Sequence, residues 1–193
     1  MRVRAELGIG NEPLIGMVAR LHVLKGQRHF IDAAAIVSQH YPDARFALAG
    51  RGCDPSNPEL ARWIEERRLS EHVHLLGERA DIRPIDSALD VAVCASISES
   101  FPNSIGEAMA CGTPCVVTDV GDCNVLVGDT GVVVPPGDPA ALAEGIQRLL
   151  ALSPETRRAL GVRATERVRG EFDMSTIAAR FARLYDAVAP GSG

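Results

Sequence analysis

Two cations and two carboxylates stand at spacings that suit a charged, hydroxyl-rich ligand. Arg20 and Lys25 share one short stretch, A-R-L-H-V-L-K-G, directly after an apolar run. A guanidinium grips an anion bidentately and an ammonium acts as a point charge, so the two together suit a diphosphate. Read alone, they are better taken as the charges of a solvated loop. Glu99 and Glu107 are eight residues apart in S-E-S-F-P-N-S-I-G-E, with Pro102 and Asn103 between them. Glu99 therefore falls in a loop and Glu107 in the first turns of a helix. The free N–H groups at such a helix start hold phosphate or sugar oxygens. A carboxylate on each side suits a sugar, because an ionised carboxylate accepts hydrogen bonds from hydroxyls. Ser104-x-x-Glu107 is also a capping-box pattern, in which Glu107 turns back to the Ser104 amide.

Glycines mark two further places. A-G-R-G puts Gly50 at the end of an apolar run, where it permits either a tight turn or close approach of backbone to a ligand. L-L-G-E-R-A-D puts Gly77 at the end of another. There a flat ring could lie against the chain, its edge read by the amides and carbonyls around Glu78 and Arg79. A plain strand-end glycine is the alternative. No G-x-G-x-x-G follows the first apolar run, so a dinucleotide fingerprint is missing where it would belong.

The elements that must position these residues alternate in type. Apolar runs at 13–21, 44–49, 73–76, 90–95, 115–118 and 131–134 read as strands. Helical patterns lie between them, at 26–40, 58–68, 82–89 and 104–111. The first carries Phe30, Ala33, Ala34 and Val37 on one face. Asp138-Pro139 opens a helix with a cap and a first-turn proline, running to about residue 152. Two more helices follow at 154–170 and 174–188. Short apolar strands separated by helices mean parallel pairing with both faces covered, hence an α/β, doubly wound, six-stranded sheet. Ligands of such sheets sit outside the carboxyl ends of the strands, where all the residues above fall. Residues 11–189 form one domain in this reading, and 1–10 and 190–193 are loose ends.

Composition narrows the classes. The chain has 193 residues, 46% apolar and 23% charged, with net charge −5. It is too apolar and too evenly mixed for disorder. It has no run of about 18 apolar residues to cross a membrane and no apolar signal segment. Without a basic tract it has no nucleic-acid footprint. Cys53, Cys94, Cys111, Cys115 and Cys123 are odd in number and form no C-x-x-C pair. They read as free thiols of a reducing cytoplasm, and no metal-ligand spacing joins them to the histidines.

Taken together, R-L-H-V-L-K-G, L-A-G-R-G, L-L-G-E-R-A-D, E-S-F-P-N-S-I-G-E-A-M-A-C-G-T-P and G-V-V-V-P-P-G-D-P resemble, in that order, one half of a GT-B glycosyltransferase. The half is the nucleotide-binding, carboxy-terminal Rossmann-like domain of retaining family 4, the glycosyl transferases group 1. The resemblance implies transfer of a sugar from a nucleotide-diphosphate sugar to a hydroxyl acceptor, without a metal or other cofactor, in polysaccharide or glycolipid assembly. It casts Arg20 and Lys25 as the pair that grips the diphosphate and steadies the leaving nucleotide. The backbone near Glu78 and Arg79 becomes the base-reading edge and Glu107 the ribose ligand. Glu99, with the amides of Phe101, Asn103 and Ser104, sits over the donor sugar and distal phosphate. Glu99 is either nucleophile or positioning group, and positioning is the reading preferred.

Ser100 departs from the family, which commonly has glycine there. If the position needs a positive φ, serine is strained by about 1 kcal/mol. The resemblance also implies an amino-terminal acceptor domain that this chain lacks. The chain alone would then bind nucleotide without turnover, and any peripheral contact with the inner membrane face would belong to the missing half. Ile177, Phe181, Leu184, Tyr185 and Val188 make an apolar stripe on the last helix. It is left to pack locally, dimerise or stay exposed. The alternative function is a non-catalytic nucleotide or nucleotide-sugar binding module.

Overall fold

A computed structural model describes residues 2–188. It begins with a short helix, α1 (Arg2–Glu6), and then alternates strands and helices. These are β1 (Leu14–Val18), α2 (Gln27–His40), β2 (Arg45–Ala49), α3 (Pro58–Glu66), β3 (Val73–Gly77), α4 (Arg83–Asp86), β4 (Val91–Cys94) and α5 (Asn103–Ala110). There follow β5 (Cys115–Thr118), α6 (Cys123–Val127), β6 (Gly131–Val134), α7 (Pro139–Leu150), α8 (Pro154–Glu171) and α9 (Met174–Val188).

All the strand pairings are parallel, in the order β3-β2-β1-β4-β5-β6. The order reverses between β1 and β4, which pair Ile15 with Val91 and Gly16 with Ala92. That reversal opens a crevice at their carboxyl ends. Strands β1, β2, β4 and β5 are buried on both faces, as the unbroken apolar runs require. One face packs on α2, α3 and α7 through Phe30, Phe46, Leu60 and Ile146, with the two phenylalanine rings edge to face at 6.2 Å. The other face packs on α4, α5 and α6 through Leu14, Ile105, Met109 and Leu126. Helix α7 starts as its sequence demands, with Asp138 accepting from the Ala140 and Ala141 amides. All five cysteines are free.

Two expectations are corrected and one element is added. Residues 1–10 are not a loose end over the part described. Val3 and Ile9 are buried against the second face, and Arg4 reaches the Ala88 carbonyl at 2.9 Å and Asp90 Oδ2 at 3.2 Å. One arginine and two apolar side chains dock a segment too short to show periodicity. The helix expected at 82–89 shrinks to Arg83–Asp86, and α6 was not foreseen at all. Five residues do not complete an amphipathic pattern.

The stripe on α9 does not pack on its own sheet. No residue of α9 is buried, and Phe181, Leu184, Tyr185 and Val188 are all exposed. The loose end expected at 190–193 lies outside the described residues.

Candidate functional site

The crevice between β1 and β4 is built from two loops that lock onto each other. After β1 the chain makes a single 3-10 turn, Val23–Lys25, with His22 Nδ1 accepting from the Leu24 amide. After β4 it runs through Ser96 to Pro102 and enters α5. The Ile97 amide donates to the Leu24 carbonyl at 2.8 Å, so the loops are joined by backbone. Gly26 seals this contact. It has φ +76°, and a Cβ there would lie 2.0 Å from the Ala95 carbonyl oxygen. Only glycine permits both the left-handed turn and that approach.

The two loops bring Lys25 and Glu99, 74 residues apart in sequence, into an ion pair with Nζ 2.5 Å from Oε2. The pair is largely withdrawn from water, with 26% of the lysine and 13% of the glutamate side chain exposed. Glu99 Oε2 also accepts from Ser96 Oγ at 3.3 Å. Arg20 lies at the end of the same crevice and is exposed. Its carbonyl is held by buried Gln27, whose Nε2 donates at 2.8 Å. Among the described residues, no carboxylate pairs with the Arg20 guanidinium.

Helix α5 starts one residue earlier than expected, and this decides the Ser104–Glu107 question. Its cap position is Pro102, with no side-chain cap bond. Ser104 is thus inside the helix and no capping box forms. Glu107 is exposed one turn in, and among the described residues its carboxylate makes no hydrogen bond or ion pair. The Asn103 amide is drawn back to the Phe101 carbonyl at 3.0 Å. Phe101 is half-exposed and rests on Phe172, ring centres 5.8 Å apart, a contact across to the segment between α8 and α9 that the sequence did not announce.

Ser100 carries no strain, since Arg68 is the one non-glycine residue with positive φ among those described. The tight spot is Gly121 instead, in the loop after β5. Its φ is +53°, and a Cβ would fall 2.2 Å from the Glu99 carbonyl oxygen. The Asp122 amide donates to the Ser100 carbonyl at 2.9 Å. The loop carrying Glu99 is therefore buttressed from both sides, by Gly26 and by Gly121.

Gly50 and Gly77 join the neighbouring strand ends. The Gly50 amide donates to the Gly77 carbonyl, and the Gly77 amide to the Cys53 carbonyl, each at 2.8 Å. Both glycines have positive φ, +131° and +65°. Glu78 and Arg79 follow on the surface. The Arg79 side chain is committed, with Nε on the Leu76 carbonyl at 3.1 Å and Nη2 on Glu6 Oε1 at 2.6 Å. Its backbone is left to offer what the side chain does not.

Lys25, Glu99 and Ser96 are thus in contact. Arg20, Phe101, Asn103, Ser104 and Glu107 sit on the loops and helix end around them, and Gly50, Gly77, Glu78 and Arg79 line the adjacent strand ends. Among the described residues, no group of three or more His, Cys, Asp or Glu side chains converges as a metal site would. Sequence reasoning missed Ser96, Gly26 and Gly121. The only signal for Gly26 is that it ends the segment R-L-H-V-L-K-G, Gly121 is one glycine of the loop after an apolar run, and nothing distinguishes Ser96 from an ordinary strand-end serine.

One further carboxyl stands out. Asp86, on α4, is fully buried, and among the described residues neither of its carboxyl oxygens has a hydrogen-bond partner. Burial, reinforced by the charge of nearby Glu107, pushes its pKa up to about 7.

Comparison with known proteins places the arrangement. Residues 12–152 match the family described as glycosyl transferases group 1. The alpha-D-kanosaminyltransferase of Streptomyces kanamyceticus is 30% identical, over 95% of this chain and 48% of its own length. Among solved structures, Anabaena HepE in complex with UDP and glucose superposes with a TM-score of 0.85 at 31% identity, covering 96% of this chain and 51% of that one. The C-terminal domain of a glycosyl transferase group 1 family protein from Francisella tularensis superposes at 0.76 with 25% identity, covering 90% of this chain and 92% of that one. The chain spans about half the length of the curated relatives it matches. With its six-stranded parallel sheet and the motif residues gathered at the switch point, the chain belongs to the group 1 glycosyltransferases of GT-B fold.

Proposed function

We propose that this chain is the donor-binding half of a retaining glycosyltransferase that takes its sugar from a nucleoside-diphosphate sugar and passes it to a hydroxyl acceptor. The observation that carries the reading is the crevice between β1 and β4. There the Lys25–Glu99 pair spans the switch point, beside an uncommitted Arg20 and an unpartnered Glu107. Arg20 and Lys25 take the donor diphosphate and stabilise the charge that develops on it as the glycosidic bond breaks, work that needs no metal. Glu107 accepts from the ribose hydroxyls. Glu99 accepts from hydroxyls of the donor sugar and orients it. The Ser104 amide at the start of α5 faces the distal phosphate, the Asn103 amide being taken by the Phe101 carbonyl. The backbone beyond Gly77, at Glu78 and Arg79, reads the base. Support for the nucleotide class comes from Anabaena HepE, whose structure holds UDP and glucose.

The acceptor belongs to a second domain, since this chain spans about half of its relatives. The exposed stripe of α9 is that domain's seat in this reading, in preference to a second copy of the chain. Among the described residues no helix is long and apolar enough to cross a membrane. The reaction is assigned to the cytoplasmic side, in polysaccharide or glycolipid assembly, with peripheral contact made by the other half.

Calorimetric titration of the chain with UDP, GDP, ADP and NAD tests this. One nucleoside diphosphate should bind, without turnover. Arg20→Ala or Lys25→Ala should weaken it by about tenfold or more, as loss of a charge-assisted bond does. Preference for NAD over all three would overturn the reading.

A further inference from the structure

We infer that Ser96 is the positioning residue that holds Glu99 in place for the donor sugar. The inference rests on the donor-binding role proposed above and deepens it. Ser96 is 1% exposed, at the end of β4 and three residues before Glu99. Its hydroxyl is held between two neighbours. Ser96 Oγ lies 3.4 Å from the Cys94 thiol and donates to Glu99 Oε2 at 3.3 Å. Its backbone is fixed as well, because Thr118 Oγ1 on β5 donates to the Ser96 carbonyl at 2.7 Å.

The two oxygens of Glu99 therefore have different duties. Oε2 is bracketed by Ser96 and Lys25. Oε1 carries no hydrogen bond among the described residues, so it is the one free to accept from a ligand.

The two anchors on Oε2 are not equivalent. Lys25 has a second claimant, the donor diphosphate, and its long flexible stem lets it divide between the two. Ser96 is buried, and among the described residues Glu99 is the one charged acceptor its hydroxyl reaches. When phosphate draws Lys25 away, Ser96 is what keeps Oε2 from swinging and Oε1 aimed at the sugar. A hydrogen bond behind a ligand-bearing group fixes that group's orientation, and its loss is felt in ligand affinity although the residue touches no ligand.

The test compares a nucleotide with its sugar conjugates. The chain is titrated with whichever of UDP, GDP or ADP it binds, and with the glucose, galactose and N-acetylglucosamine conjugates of that nucleotide. Thermal unfolding is recorded alongside. Ser96→Ala should weaken the best-bound conjugate by about five- to tenfold while leaving the free nucleotide within twofold, the loss of one charge-assisted bond acting at one remove. Ser96→Cys keeps the volume and a weak donor, and should fall between the two. If the alanine variant does not fold, the cysteine variant carries the test with the same selective loss. Equal weakening of nucleotide and conjugate would mark Ser96 as merely structural. An unchanged ratio in both variants would sever it from the sugar. Both results overturn the inference and leave the donor-binding reading standing. Failure of every nucleoside diphosphate to bind the unmodified chain defeats that reading itself, and the inference with it.

Discussion

Glu99 and Asp86 are two carboxyl groups withdrawn from water, and they are held in opposite ways. Glu99 sits in the crevice with a lysine ammonium and a serine hydroxyl on one oxygen. Asp86 sits on α4 between buried Ile85 and Ala88, with no partner for either oxygen and with Glu107 near it. A carboxylate leaves water as a charge only where a cation and a donor replace the hydration it loses. Where nothing replaces it, the group holds its proton instead. The first solution gives a fixed anion ready for hydroxyls. The second gives a neutral acid whose tolerance depends on pH.

The largest expected effect lies on the Asp86 side. Its folded pKa of about 7 stands above the ordinary value of 3.8, so between those two the unfolded chain holds fewer protons than the folded one. Stability therefore falls as pH rises through that window, and is flat above it. The full span amounts to about 4 kcal/mol, taking about 1.4 kcal/mol for each unit of separation. Asp86→Asn removes the titration. Urea unfolding at pH 5 and pH 8 should show a loss in the unmodified chain that the variant lacks. Equal losses in both proteins would break the contrast, because Asp86 would then have found a partner.

Next comes the Glu99 side, with the opposite sign. Lys25→Met strands a mostly buried carboxylate on Ser96 alone. It should destabilise the chain at pH 8 by about 2 kcal/mol, the usual penalty for orphaning one member of a pair. Asp86→Asn at the same pH should stabilise it. A neutral Lys25→Met would place the pair with ordinary surface ion pairs, which contribute little.

How much of this could be read from sequence follows the same division. Strands 115–118 and 131–134 coincide with Cys115–Thr118 and Gly131–Val134, because each is a short apolar run bounded by turn residues. The start of α7 was legible from Asp138-Pro139 alone. The candidates Arg20, Lys25, Glu99 and Glu107 were legible as types at strand ends. Their contacts were not. Lys25 meets Glu99 only because β1 is flanked by β4 as well as β2, and a pairing across 74 residues leaves no local trace. Nothing local separates Ser96 and Thr118 from ordinary strand-end hydroxyls. Nothing in R-P-I-D-S-A-L-D marks Asp86 as buried, because burial on a four-residue helix is decided by what packs over it and not by its own periodicity.

The smallest expected effect joins the two regions. Glu107, the proposed ribose ligand, is exposed, and its charge is the second cause of the raised Asp86 pKa after burial itself. Glu107→Gln keeps the shape of the side chain and removes that charge. Asp86 should then release its proton at lower pH, moving the upper end of the stability loss downward by a fraction of a unit and shrinking the total loss to match. The shift is small because water screens a charge on the surface of α5. Raising the salt concentration should mimic part of it in the unmodified chain and do nothing further in Glu107→Gln. If the upper end does not move with either change, burial alone sets the proton on Asp86, and the ligand edge and the buried acid are electrically independent. If it moves with both, a cation brought close to Glu107 should stabilise the ionised form of Asp86 in the same direction, so that occupancy near the ribose position would be readable in the pH dependence of folding.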